Sequence, residues 1–194
     1  MSEVKKDADF QKFLDQNQYA RKGILLYERI FGDTYISTGG ERTTEHFCKQ
    51  LEGQALKVSR NDQNRTKWDF FQLLCHQKGD KVLDVGCGIG GSAFYMARNY
   101  GVDVYGFDLS QNMINIAQDL RDVEPSLVKH RCNFYVEDAT LMDYPEQFYD
   151  MVYSRDTILH IEDKLSLFKM FYKSLKPGGM VVITDYCRGA QDHR

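Results

Sequence analysis

The chain has 194 residues, with 25 Lys and Arg against 28 Asp and Glu, a formal charge of −3, and 42% hydrophobic residues; this is the balance of one globular domain. The slight acidic surplus is spread along the chain and argues against nonspecific nucleic-acid or anionic-membrane binding, and no apolar run approaches the roughly 18 to 20 residues that cross a bilayer. Both charges are mixed through the N-terminal stretch MSEVKKDADFQKFLDQNQY, unlike a signal or transit peptide, which points to a cytoplasmic protein.

In chain order, residues 1–52 read as helices joined by turns, a cap over whatever follows: FQKFLDQNQY with Tyr19 on the same helix as Phe10, Phe13 and Leu14, then GILLYERIF, a loop GDTYISTGG, and ERTTEHFCKQL. Residues 53–78 hold a polar run, SRNDQNRTK, expected as an exposed loop, and one short amphipathic segment around Trp68. From 79 to 194 the texture changes. Short Val-, Ile-, Tyr- and Phe-rich runs (KVLDVG, VDVYGFD, NFYVEDA, YDMVYSRD, MVVITDY) alternate with helical stretches (SAFYMARNY, QNMINIAQDLRDV, KLSLFKMFYKSL), the pattern of βαβ units on a parallel sheet. The expected fold is a doubly wound α/β domain, mainly parallel and Rossmann-like, with KPGG stopping the last helix and delivering the chain into the fifth strand. Cys48, Cys75, Cys87, Cys132 and Cys187 are odd in number, widely spaced and without a CxxC pair, so they read as reduced thiols. The histidines show no ligand spacing, and no metal is expected.

Ligands of open parallel sheets bind beyond the carboxyl ends of the strands. The residues expected there are Asp84, Asp108, Asp138, Asp156 and Asp185, a rim that repels polyphosphate and suits a cation bearing vicinal hydroxyls. The first βα turn, DVGCGIGGS, also satisfies the GxGxxG dinucleotide pattern through Gly86, Gly88 and Gly91, so spacing alone leaves nicotinamide binding open. Asp84 tips the balance, because a pyrophosphate is repelled by a carboxylate two residues before the first glycine and an ammonium is welcomed by it. Asp108, 22 positions after Gly86, suits both ribose hydroxyls. A nucleoside carrying an amino-acid cation describes S-adenosylmethionine.

The segments VLDVGCGIGG, YGFD, EDAT and LKPGG resemble the class I S-adenosylmethionine-dependent methyltransferases. NQY at 17–19, YERIFGDTYISTGG at 27–40, YSRDTILHI at 153–161 and ITDYCR at 183–188 resemble, more specifically, the phosphoethanolamine N-methyltransferases of plants, nematodes and protozoan parasites. The resemblance implies N-methylation of phosphoethanolamine or its mono- and dimethyl derivatives toward phosphocholine, with S-adenosylhomocysteine as product. It implies that Asp84 holds the cofactor's amino group, Gly86 and Gly88 line the methionine portion, Asp108 and Leu109 take the ribose side, Asp138 and Ala139 face the adenine, and Arg155 adds to the cofactor site. Ser37 and Gly39 would close over the cofactor. It further implies catalytic roles for Tyr19 and His160, paired as a latch over the substrate amine, and for Asp156. Tyr27 and Tyr186, with Arg188, would lie near the phosphobase.

Two features depart from that family: the 53–77 insertion, and a C-terminus after the fifth strand where seven strands are usual. The chain is therefore expected to be incomplete at the C-terminus, marginally stable alone, and either a fragment or one half of a longer protein with a second methyltransferase domain. The alternatives are a methyltransferase for another small acceptor (a sterol, quinone or amino acid), an inactive cofactor-binding fragment, and a dehydrogenase.

Overall fold

A computed structural model describes residues 2–48 and 79–186, with side chains from residue 9 onward. The expected loop at 53–77, Trp68, Cys75, Cys187 and Arg188 lie outside the described residues. The N-terminal part contains α1 (Ser2–Gln16), α2 (Arg21–Phe31) and a third helix, α3, through residues 40–48. The remainder runs β1 (Lys81–Val85), α4 (Gly91–Tyr100), β2 (Asp103–Asp108), α5 (Gln111–Val123), the one-turn α6 (Ser126–Lys129) and β3 (Cys132–Val136). It continues through β4 (Tyr149–Arg155), a 3-10 turn (Ile158–His160), α7 (Lys164–Ser174) and β5 (Leu175–Thr184).

The described strands form one sheet in the order β3-β2-β1-β4-β5, and every pair is parallel. Successive residues of the central strands feed opposite faces. Val82, Met151 and Tyr153 join Phe94, Met96, Ile114 and Ala117 from α4 and α5, whereas Leu83, Val85 and Val152 join Leu167 and Phe171 from α7. Burial on both faces is why these strands read as nearly continuous apolar runs. Each such fully buried side chain contributes roughly 1.5–3 kcal/mol relative to exposure. The strand order reverses direction at β1, so a crevice opens at the carboxyl ends of β1, β2 and β4. Among the described residues no helix is long and apolar enough to cross a membrane.

Three expectations are corrected. Helix α1 stops at Gln16, so Tyr19 is in the following turn and not on the helix. The stop is local: the Asn17 side-chain amide donates to the Phe13 carbonyl at 2.8 Å and the Tyr19 amide to Leu14 at 2.7 Å, closing the last turn. Second, KPGG does not precede the fifth strand but lies inside it as an irregularity. Leu175 pairs with Tyr149, the register then shifts, and pairing resumes at Met180 with Met151. Pro177 has no N–H to give the ladder, and Lys176 is held aside by Asp150 at 2.7 Å. Third, the five carboxylates are not in one register. Asp84 lies within β1, Asp108 ends β2, Asp156 and Asp185 follow β4 and β5 directly, and Asp138 is two residues beyond β3.

Candidate cofactor and acceptor site

The pocket at the switch point is floored by the turn after β1. Gly86 and Gly88 have φ of +74° and +55°, the left-handed region that L side chains rarely adopt. A Cβ on Gly86 would lie 2.0 Å from the Thr157 hydroxyl, so the loop after β4 is packed directly onto this turn. The turn's amides point inward and are already engaged: Gly86 and Cys87 donate to the Phe107 carbonyl at 2.8 and 3.0 Å, and Gly88 donates to Asp108 Oδ2 at 3.0 Å. Asp108 Oδ1 accepts from the Ser110 amide at 2.9 Å. One carboxylate therefore ties the β1 turn to the start of α5, and its free lone pairs face the pocket.

Asp84 is 2% exposed, and its Oδ2 has no hydrogen-bond partner among the described residues. An unpartnered buried carboxylate oxygen is costly unless a donor arrives. Burial, and after it the nearby Asp108 carboxylate, raise its pKa to about 7 against the opposing pull of the Arg155 guanidinium. Burial likewise raises Asp108. Two carboxylates at the base of the glycine turn fit an ammonium and a ribose diol, and do not fit a pyrophosphate. The residues present thus suit the amino-acid nucleoside implied by the sequence, and the dinucleotide reading fails on the same ground. Cys87 packs beside Gly106 in this turn, and burial pushes its thiol well up, opposite to what a nucleophile needs.

The pocket roof is the segment between α2 and α3. Thr34, Tyr35, Ile36 and Ser37 line it, opposite Ile89, Met113, Tyr153 and Thr157. Arg155 holds this roof. It is 7% exposed, and its Nη1 donates to the Gly40 carbonyl at 3.1 Å and Thr44 Oγ1 at 2.9 Å, while Nη2 donates to the Thr38 carbonyl. Thr44 is also within 3.2 Å of the Ser92 hydroxyl, which is 3.4 Å from Tyr153. Arg155 lines the pocket, with its Nε 4.0 Å from Asp156 Oδ2, and three of its hydrogen bonds go to the roof, a role that sequence did not anticipate.

The expected site residues fall into two groups. Tyr19, Ser37, Asp84, Gly86, Gly88, Asp108, Arg155 and Asp156 line one pocket. Asp156 has φ +54° and a carboxyl raised by partial burial, with Arg155 lowering it and Asp185 raising it. Tyr19 has its hydroxyl raised by burial and by Asp108. The others stand outside the pocket wall. Gly39, at φ +84°, sits where a Cβ would collide with Thr43 Oγ1, so it shapes the roof. The Leu109 carbonyl accepts from Gln11 at 3.0 Å. Asp138 Oδ1 accepts from the Thr140 amide and hydroxyl at 2.8 and 2.6 Å, and Ala139 packs on the lower core with its carbonyl taken by Tyr144. Tyr27 is exposed on α2, stacked on Phe31. The Tyr186 hydroxyl is 2.8 Å from Thr38 Oγ1, a second tie on the roof.

His160 is exposed on the 3-10 turn, outside the pocket wall. Ile158 of that turn is buried, which leaves the next two residues facing solvent. The Tyr19 hydroxyl accepts from the Gln18 amide at 3.4 Å. No hydrogen bond joins Tyr19 to His160 among the described residues. No group of three or more possible metal ligands occurs among the described residues.

A parallel sheet switching direction at β1, a glycine turn over a buried carboxylate, and an acidic residue closing β2 define the Rossmann-like methyltransferase class. The chain belongs to the family described as "Methyltransferase domain", which matches residues 83–183. It is 50% identical to phosphoethanolamine N-methyltransferase 3 of Arabidopsis thaliana over 94% of its own length and 32% of that protein's. It is 35% identical to the phosphoethanolamine N-methyltransferase of Plasmodium falciparum, over 90% of this chain and 56% of that one. The solved structure of Haemonchus contortus phosphoethanolamine N-methyltransferase 2 with phosphomonomethylethanolamine and S-adenosylhomocysteine superposes with a TM-score of 0.73 at 35% identity, covering 91% of this chain and 35% of that one. The chain spans about a third of the length of the plant relative.

Proposed function

We propose that the chain is the cofactor-binding and methyl-transferring part of a phosphoethanolamine N-methyltransferase. In this reading S-adenosylmethionine supplies a methyl group to the nitrogen of phosphoethanolamine or its partly methylated derivatives, in the cytosol, on the way to phosphocholine and phospholipid. Residues 1–52 are the cap, 53–78 the connection, and 79–194 the cofactor-binding core, within a longer protein that carries a second methyltransferase domain. The observation that carries the reading is the partnerless Asp84 Oδ2, in a pocket that Asp108, Tyr19 and Asp156 also line. Identity to the plant and protozoan enzymes supports the choice of acceptor.

Asp84 would accept the cofactor's ammonium and Asp108 its ribose hydroxyls, with the Arg155-held roof excluding water. When bound, the cofactor offers a sulfonium methyl to in-line attack. The chain's own task is to hold the acceptor nitrogen on that axis in a dry site, and to take the proton that an ammonium must lose before its lone pair can attack. Asp156 is at the pocket wall with a raised pKa, which suits a proton acceptor. Tyr19 would orient the amine. In this reading Asp138, Ala139, Leu109, Ser37 and Gly39 would lie around the bound cofactor and Tyr27 and Tyr186 around the phosphobase, with His160 as the catalytic partner of Tyr19.

The test is incubation of the chain with S-adenosylmethionine and phosphoethanolamine, read by mass spectrometry. Successive gains of one methyl on the phosphobase, lost in Asp156→Asn, support the reading. Binding of cofactor without methylated product from any phosphobase rejects it.

A further inference from the structure

The cap is fastened to the cofactor-binding core at a second place, far from Arg155. Asp15, near the end of α1, directs its carboxylate at the start of α5: it accepts from the Ser110 hydroxyl, from the Gln111 amide at 3.2 Å and from the Asn112 amide at 3.3 Å. The Asn112 side chain answers in the other direction, donating to the Asp15 carbonyl at 3.0 Å and the Tyr19 carbonyl at 2.9 Å. Gln11, one turn earlier on α1, donates to the Leu109 carbonyl at 3.0 Å. These bonds join segments more than 90 residues apart.

Two consequences follow from chemistry. The first turn of a helix has unsatisfied amides, and an anion there is favourable both as acceptor and against the helix dipole. Asp15 supplies that anion from another element, so α1 docks in one register. The clamped turn is also the one that carries Asp108, whose two oxygens are set by the Ser110 and Gly88 amides. Asn112, four residues after Asp108, thus ties the Tyr19 backbone to the start of α5, and Tyr19 packs against the Ile24, Ile89, Met113 and Ile116 cluster.

We propose that Asn112 and Asp15 are positioning residues for Tyr19, setting the acceptor side of the pocket from the cofactor side. The inference rests on the reading of Tyr19 as an acceptor-facing group. The test is a double-mutant cycle of Asn112→Ala and Tyr19→Ala, with Asp15→Asn as a second entry to the same clamp should Asn112→Ala not fold. Asn112→Ala is expected to lower kcat for phosphoethanolamine at least tenfold while S-adenosylhomocysteine affinity stays within twofold, and to cost less than twofold further in the Tyr19→Ala background. Full additivity in the cycle, or a parallel loss of S-adenosylhomocysteine binding, overturns the inference, because either means that Asn112 does not act through Tyr19. Hydrogen exchange separates this from the functional reading. The amides of residues 17–20 are expected to exchange at least tenfold faster in Asn112→Ala, whatever the acceptor proves to be. If the unsubstituted chain methylates no phosphobase, the functional reading fails, and unchanged exchange at 17–20 in the variant then overturns the clamp as well.

Discussion

Replacing Asp84 by Asn separates what this carboxylate costs the fold from what it gives the ligand. Burial and Asp108 raise Asp84 from 3.8 to about 7. Because the folded chain holds this proton more tightly than the unfolded chain, ionisation destabilises the fold. The stability attached to Asp84 is therefore full below about pH 4 and is lost as pH rises toward and through 7. At 1.36 kcal/mol per tenfold change, the loss amounts to about 4 kcal/mol as an upper figure. Asp84→Asn is neutral at every pH and escapes it. Chemical denaturation of the ligand-free chain is expected to show the variant gaining about 2–4 kcal/mol on the unsubstituted chain between pH 4.5 and 8. Ligand binding should run the other way. S-adenosylhomocysteine needs the ionised carboxylate, so its affinity for the unsubstituted chain is expected to fall roughly eightfold from pH 7.5 to 6, with proton release, and Asp84→Asn should bind weakly at both. A variant whose stability advantage is the same at pH 4.5 and 8, or that binds S-adenosylhomocysteine as well as the unsubstituted chain, refutes this account of Asp84.

Other expectations rest on different contacts. Gly86→Ala must place a methyl 2.0 Å from the Thr157 hydroxyl at φ +74°, so it is expected to lose S-adenosylhomocysteine binding altogether; adding Thr157→Gly relieves the collision but leaves about 1–2 kcal/mol of left-handed strain, measurable by denaturation. Thr44→Val removes an acceptor from buried Arg155 and should destabilise the chain by about 1–3 kcal/mol, with faster S-adenosylhomocysteine dissociation in stopped flow because the roof is looser; an unchanged dissociation rate contradicts the roof assignment. Cys87 and Cys132 are buried thiols raised by desolvation, Cys132 to about 12, so peptide mapping after maleimide treatment of the folded chain at pH 8 should find both unmodified.

The βαβ core was legible because its information is local. Strands buried on both faces are spelled as apolar runs, and the Gly86 turn and the acidic end of β2 are fixed by spacing. Asp84, Asp108 and Asp156 reach one pocket because strand order brings the ends of β1, β2 and β4 together. Asp138 looked equivalent to them in the sequence, but its carboxylate closes its own turn on Thr140, a choice that strand spacing does not record. The sequence pattern puts Tyr19 on α1, but that helix stops three residues earlier, since the stop depends on Asn17 side-chain geometry. The roof bonds of Arg155 and the Asp15–Asn112 clamp join residues more than 90 positions apart, and no local pattern announces such pairs. Their polar residue types are present in the sequence; their partners are decided only by how the cap packs.

In the proposed reading the buried Asp84 carboxylate receives an ammonium in a nucleoside pocket. Calorimetric titration of the chain at pH 7.5 with S-adenosylhomocysteine, its decarboxylated analogue and 5′-methylthioadenosine tests it most directly. Charge-assisted hydrogen bonds contribute about 1.5–3 kcal/mol, so the two amine-bearing ligands are expected to bind within a few fold of each other and roughly 10- to 100-fold more tightly than methylthioadenosine. Equal affinity of all three would contradict the claim, because Asp84 would then hold nothing.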